Sequence, residues 1–90
     1  MTPGILRKPV PERGPNPTDE QLLAFEAANR PGAHDSRKDV AIRADLGITP
    51  TRYYVLLGRL IWLEDALLID PQLTNRLRRI SLVEQLDRRP

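Results

Sequence analysis

Three observations predict an all-α fold for this chain. No segment alternates apolar and polar residues with period two, so no strand is expected. Apolar residues recur instead at helical spacing in four stretches, over 19–29, 37–46, 50–63 and 71–86. The junctions carry residues that start and stop helices: Thr18, Asp35 or Ser36, Thr49-Pro50 and Asp70-Pro71 at the starts, Arg30-Pro31-Gly32 and Gly47 at the stops. The expected architecture is a four-helix domain with a helix-turn-helix core and a disordered proline-rich N-terminal arm.

The arm comes first. Residues 1–17 contain Pro3, Pro9, Pro11, Pro15 and Pro17 with Gly4 and Gly14, a density that prevents helix and leaves too little apolar surface to fold. The helical domain is expected over 18–86, with 87–90 as a tail. Thr18 caps helix one, Gln21 completes a capping box, and Asp19 and Glu20 favour the positive helix end. Leu22, Leu23, Phe25 and Ala28 or Asn29 supply its inner face. In helix two Val40, Ile42 and Leu46 are expected to point inward, with Ala41 and Ala44 allowing close approach.

Gly47 follows Leu46 at the C′ position, where a left-handed residue ends a helix without a Cβ penalty. Ile48 can pack under the turn. Thr49 is an N-cap and Pro50 at N1 loses no hydrogen bond, so helix three restarts about three residues after helix two stops, as a helix-turn-helix requires. The residue four before Gly47 is Arg43, where that motif usually carries a small one; the alternative is a helical hairpin in a small bundle. In helix three Tyr53, Leu56, Leu57, Leu60 and Leu63 form the inner stripe, leaving Thr51, Arg52, Tyr54, Val55, Gly58 and Arg59 nearer solvent. Residues 64–69 either continue that helix or form a short one of their own. Asp70-Pro71 then restarts the chain, and Leu73, Leu77, Ile80, Val83 and Leu86 line the last helix.

Composition narrows the function. Ninety residues make one small domain with a modest core, which dimerisation would help. The absence of cysteine excludes a disulfide framework and Cys-ligated zinc or iron–sulfur sites. His34, the one histidine, supports neither a metal site nor a nucleophilic triad and reads as a loop residue; the glycines form no phosphate-binding fingerprint. Neither an enzyme nor a cofactor is expected. The longest apolar stretch, 53–63, is interrupted by Gly58 and Arg59 and is too short to cross a bilayer, and the N-terminus lacks a signal-peptide core. A cytoplasmic chain with no membrane contact is expected.

Charge is unevenly distributed. The net value is +2, yet from Thr49 to Leu63 there are Arg52 and Arg59 and no acid, and the last helix carries Arg76, Arg78 and Arg79 within four residues. Twelve of the fourteen basic residues are arginine, whose planar fork suits phosphate and guanine, although codon bias gives the same excess. Thr49, Thr51, Arg52 and Tyr54 are the candidates for the major groove. Arg59, Arg76, Arg78 and Arg79 are the candidates for phosphates, against which stands the ordinary role of late-helix cations in complementing the dipole. Arginines of the arm fit a minor groove, or the arm is simply a disordered tail. Trp62 is read as packing.

The stretch 18–81 resembles an actinobacterial domain-of-unknown-function family of short helix-turn-helix-like proteins, also carried by actinophages. The resemblance rests on Leu23-Ala24-Phe25-Glu26, Ala41-Ile42-Arg43, Gly47, Thr51-Arg52-Tyr53-Tyr54, and Asp70-Pro71 with Arg76-Leu77-Arg78-Arg79. Pro31-Gly32-Ala33 departs from the bulkier residues usual there. The resemblance implies a helical fold and a bacterial or phage regulatory setting, and supplies no catalytic residues.

The expected function is that of a sequence-specific, duplex-DNA-binding transcriptional regulator, acting as a homodimer. The alternative is a small adaptor that binds RNA polymerase or another host protein. A helix-three face rich in arginine favours DNA, whereas an apolar patch around Val55, Trp62 and Leu67 favours a protein partner.

Overall fold

The computed structural model describes residues 16–87, with side chains over 16–84. The described residues are helical and contain no strand. Helix α1 spans Asp19–Ala28, α2 Ser36–Ala41 with a π-helical continuation Ile42–Leu46, α3 Pro50–Leu60, α4 Glu64–Ile69 and α5 Pro71–Asp87. Residues 1–15 of the expected arm, and 88–90 of the tail, lie outside the described residues, as does the Leu86 side chain.

The start signals operate as expected. Thr18 and Gln21 exchange two bonds, Gln21 N to Thr18 Oγ1 at 3.1 Å and Thr18 N to Gln21 Oε1 at 2.8 Å. Asp35, not Ser36, caps α2 by accepting from the Lys38 amide at 2.9 Å, and that bond holds its carboxyl below the usual carboxylate range. Asp70 accepts from the Leu73 amide at 3.1 Å, with Pro71 opening α5.

Five helices replace the expected four, because the chain breaks between Leu60 and Glu64. Trp62 N bonds Arg59 O at 3.3 Å and Leu63 N bonds Leu60 O at 2.9 Å, so α3 closes in a tight turn and α4 starts separately with Glu64 and Asp65 in its first turn. Thr74 then joins α5 to α4 by donating its buried hydroxyl to Ala66 O at 3.0 Å. Helix two also differs from expectation: its last turn widens to π geometry over Ile42–Leu46 before Gly47, at φ 71°, stops it.

Leu22, Leu23, Phe25, Ile42, Ile48, Tyr53, Leu57, Leu60, Ile61, Ala66, Leu73 and Leu77 form the core. Helix α1 packs on α3 and α4, and α4 on α5. Four inward assignments need correction. Val40 is 65% exposed and Leu63 52% exposed, Leu56 is only half-buried, and Val83 is 56% exposed. Val40 lies on the solvent side of α2 because Lys38, two residues earlier, takes the inward position; the break after Leu60 carries Leu63 off the α3 stripe. Val83 lies off the face of α5 on which Leu77, Ile80, Ser81 and Glu84 border the rest of the domain.

Candidate nucleic-acid interface

Solvent reaches one continuous stripe of α3: Thr51, Arg52, Val55, Gly58, Arg59 and, just beyond the helix, Trp62. These positions recur three and four apart, as one helix face does. The helix begins after Gly47, which takes the left-handed conformation, and Ile48, which is 4% exposed beneath the turn. Thr49 does not point outward as a reader. Its hydroxyl accepts from the Arg52 amide at 3.2 Å and so closes the helix start. Arg52 stands one turn from that start, where unpaired amides give the helix its positive end. Its Nε donates to Asn16 Oδ1 at 2.7 Å, a bond across the sequence from the segment preceding α1. Arg59 is exposed and has no partner among the described residues.

Tyr54 differs from expectation. It is half-buried, donates its hydroxyl to Ala33 O at 3.1 Å, and stacks on His34 with ring centroids 4.2 Å apart. Each residue of a helix turns by about 100°, so neighbouring side chains face different ways: Tyr54 turns toward the 29–35 loop and Val55 takes the outer face. With Leu57, Gly58, Ile61, Leu77 and Ile80 it lines an apolar cleft of about 250 Å³ between α3 and α5. His34 is therefore more than a loop residue, since it covers Tyr54. Burial pushes the Tyr54 hydroxyl up to about 12.

The three arginines of α5 diverge. Arg78 turns back to the end of α3, its Nε donating to Ile61 O and its Nη2 to Leu63 O at 3.3 Å, with the guanidinium 5.4 Å from the Trp62 ring centre. Ile61 is the C-cap residue of α3, so Arg78 works as a cap there, while Leu63 O, which also accepts from the Ala66 amide at 3.3 Å, ties the same guanidinium to the start of α4. Arg76 borders a shallow depression with Ala27, Pro31 and Leu73, and Arg79 is exposed. The structure thus brings Thr51, Arg52 and Arg59 onto one face and leaves Arg76 and Arg79 on another helix.

A buried polar cluster beneath this face was not foreseen. Glu26 on α1 and Lys38 on α2 pair at 2.8 Å with side chains only 1% and 3% exposed. Tyr53 of α3 donates its hydroxyl to the same carboxylate oxygen at 2.5 Å, and the Gly32 amide donates to the other oxygen at 2.6 Å. Lys38 Nζ also donates to Arg30 O at 3.2 Å. Every charged group is therefore matched inside the core, as buried charges must be. A signal was present in the sequence: Glu26 is four residues after Leu22, and Lys38 four before Ile42, so each lies on its helix's inner face. The network joins three helices to the 29–35 loop.

Among the described residues no helix is long and apolar enough to cross a membrane, and no cluster of three His, Cys, Asp or Glu could hold a metal ion. No curated protein and no solved structure matches the chain. A family model described as a protein of unknown function, DUF3263, matches residues 16–89.

Proposed function

Since the chain belongs to the DUF3263 family, whose description assigns no activity, we propose from its own geometry that it binds duplex DNA through the outer face of α3. The observation that carries this reading is the placement of Arg52 and Arg59 on one solvent-facing stripe that follows a left-handed glycine turn and contains no acid. A helix entering the major groove uses its N-terminal residues on base edges, and Arg52 is the third residue of α3. Thr51 lies beside it, and Arg59, two turns on, serves a phosphate. Arg76 and Arg79 contribute general positive charge from α5. Transcriptional regulation by a bacterial or phage protein is the setting this reading implies.

Selection of bound sequences from random duplex DNA tests binding and specificity together. Arg52→Ala should then relax preference at one base position, since a bidentate arginine–guanine contact carries about 1 to 3 kcal/mol of discrimination. The helix should remain folded, because Arg52 is exposed. Loss of no base preference in that variant would overturn the assignment.

A second reading has its own observation. Val55 and Trp62 are 47% and 45% exposed, and they alternate with the arginines on the same stripe. Such a mixed face also suits a protein, so an adaptor role toward RNA polymerase or another host protein takes over if duplex DNA is not bound.

Homodimerisation is proposed through α5, where Leu82 and Val83 are 48% and 56% exposed beyond the core. Dimeric readers place two recognition helices on successive half-sites. Sedimentation should show a dimer at micromolar concentration that Leu82→Lys with Val83→Lys converts to monomer; a monomeric starting protein would exclude it.

A further inference from the structure

We propose that Asn16 is a positioning residue that aims Arg52 at the base it reads. This inference rests on the DNA-binding reading of α3. Asn16 lies outside every helix, is exposed, and among the described residues its side chain makes one bond, which reaches across 36 positions of sequence to Arg52 Nε at 2.7 Å. Its neighbours do other work: Thr18 closes the start of α1, and Pro17 is half-buried. The Asn16 amide oxygen therefore contributes nothing to the core or to a helix cap. What it does is occupy one edge of a guanidinium.

A guanidinium presents two edges, one made by Nε with a terminal amino group and one made by the two terminal amino groups. With Nε committed to Asn16, the end-on edge of Nη1 and Nη2 is left, and neither has a partner among the described residues. That edge matches the O6 and N7 acceptors of guanine. The backbone of the same residue is also held, its N–H donating to Thr49 Oγ1 at 3.2 Å. Arg52 is thus held at its backbone and at Nε before any ligand arrives, and its two terminal amino groups are left for it. A long side chain ordered in advance loses less freedom on binding, and the gain appears only where the geometry of the contact matters.

The test compares Asn16→Ala, Asn16→Asp and Arg52→Ala by equilibrium binding of the full chain to the selected duplex, to that duplex with the Arg52-dependent base pair exchanged, and to unrelated duplex. Asn16→Ala should weaken the selected duplex by about two- to tenfold, the worth of one pre-ordered side chain, and leave unrelated duplex unchanged. Asn16→Asp, which keeps the acceptor oxygen, should retain the preference. In the Arg52→Ala background the Asn16→Ala change should have no further effect, and thermal unfolding of all variants should match the parent. If Arg52→Ala abolishes base preference while Asn16→Ala leaves it intact, the positioning role is wrong and the DNA reading stands. If the parent binds no duplex, or Arg52→Ala changes nothing, both fall together.

Discussion

Lys38→Met is expected to destabilise the domain by about 3 to 5 kcal/mol in urea unfolding, because it removes one partner of a buried ion pair and leaves the other charge unmatched. The Glu26 side chain is 1% exposed, so water cannot replace the lost ammonium. Glu26→Leu should cost as much, since it strands Lys38, the Tyr53 hydroxyl and the Gly32 amide together. A chain of this size holds only roughly 0.05 to 0.15 kcal/mol of stability per residue, so either change places it near unfolding at room temperature. Combining Glu26→Leu with Lys38→Met should recover part of the loss, because an apolar pair of similar volume replaces two charges that each had a desolvation cost. Recovery should be incomplete, as Tyr53 and Gly32 still lack their acceptor. A single substitution costing under about 1 kcal/mol would mean that the pair is hydrated rather than buried.

Alkaline conditions should unfold the protein through its two tyrosines. Both hydroxyls are held above their ordinary value, Tyr53 by burial and by its bond to the Glu26 carboxylate, Tyr54 by burial to about 12. A raised value means that the folded state keeps protons the unfolded state has given up. Stability is therefore full below the unfolded value of about 10 and falls as pH rises above it, by about 1.4 kcal/mol per pH unit for each tyrosine that stays protonated in the fold. With both contributing between about pH 10 and 12, the slope approaches about 2.7 kcal/mol per unit before Tyr54 ionises. Tyr53→Phe should halve that slope and cost about 1 to 3 kcal/mol at neutral pH, because Glu26 loses a buried donor. Urea midpoints measured from pH 9 to 12, with tyrosinate absorbance followed in parallel, check both parts. A slope that Tyr53→Phe leaves unchanged would show that Tyr53 does not titrate differently in the two states.

The helix starts at Thr18, Asp35, Thr49-Pro50 and Asp70-Pro71, and the stop at Gly47, are legible in the chain because each depends on bonds within three or four residues. The inward positions of Leu22, Leu23, Ile42, Tyr53, Leu57, Leu60, Leu73 and Leu77 are legible for a similar reason: periodicity along one helix assigns them. The part of the candidate interface that is local, Thr51, Arg52 and Arg59 on the outer side of α3, could be read the same way.

Contacts between distant segments decided the remainder. Tyr54 and Val55 are equally plausible outward residues by spacing, and only the Ala33 carbonyl and the His34 ring, brought over by the 29–35 loop, turn Tyr54 inward. Arg76, Arg78 and Arg79 look alike in sequence, yet Arg78 alone meets the Ile61 and Leu63 carbonyls of the turn between α3 and α4, 17 and 15 positions away. Spacing puts Glu26 and Lys38 on the inner faces of their helices, but that each is the other's counter-ion is decided only when α1, α2 and α3 close around both. Asn16 offers no sign of a role until the fold sets it against Arg52. Caps and periodicity are properties of a few consecutive residues. Matching a buried charge, or orienting an arginine, needs a partner that only tertiary packing supplies.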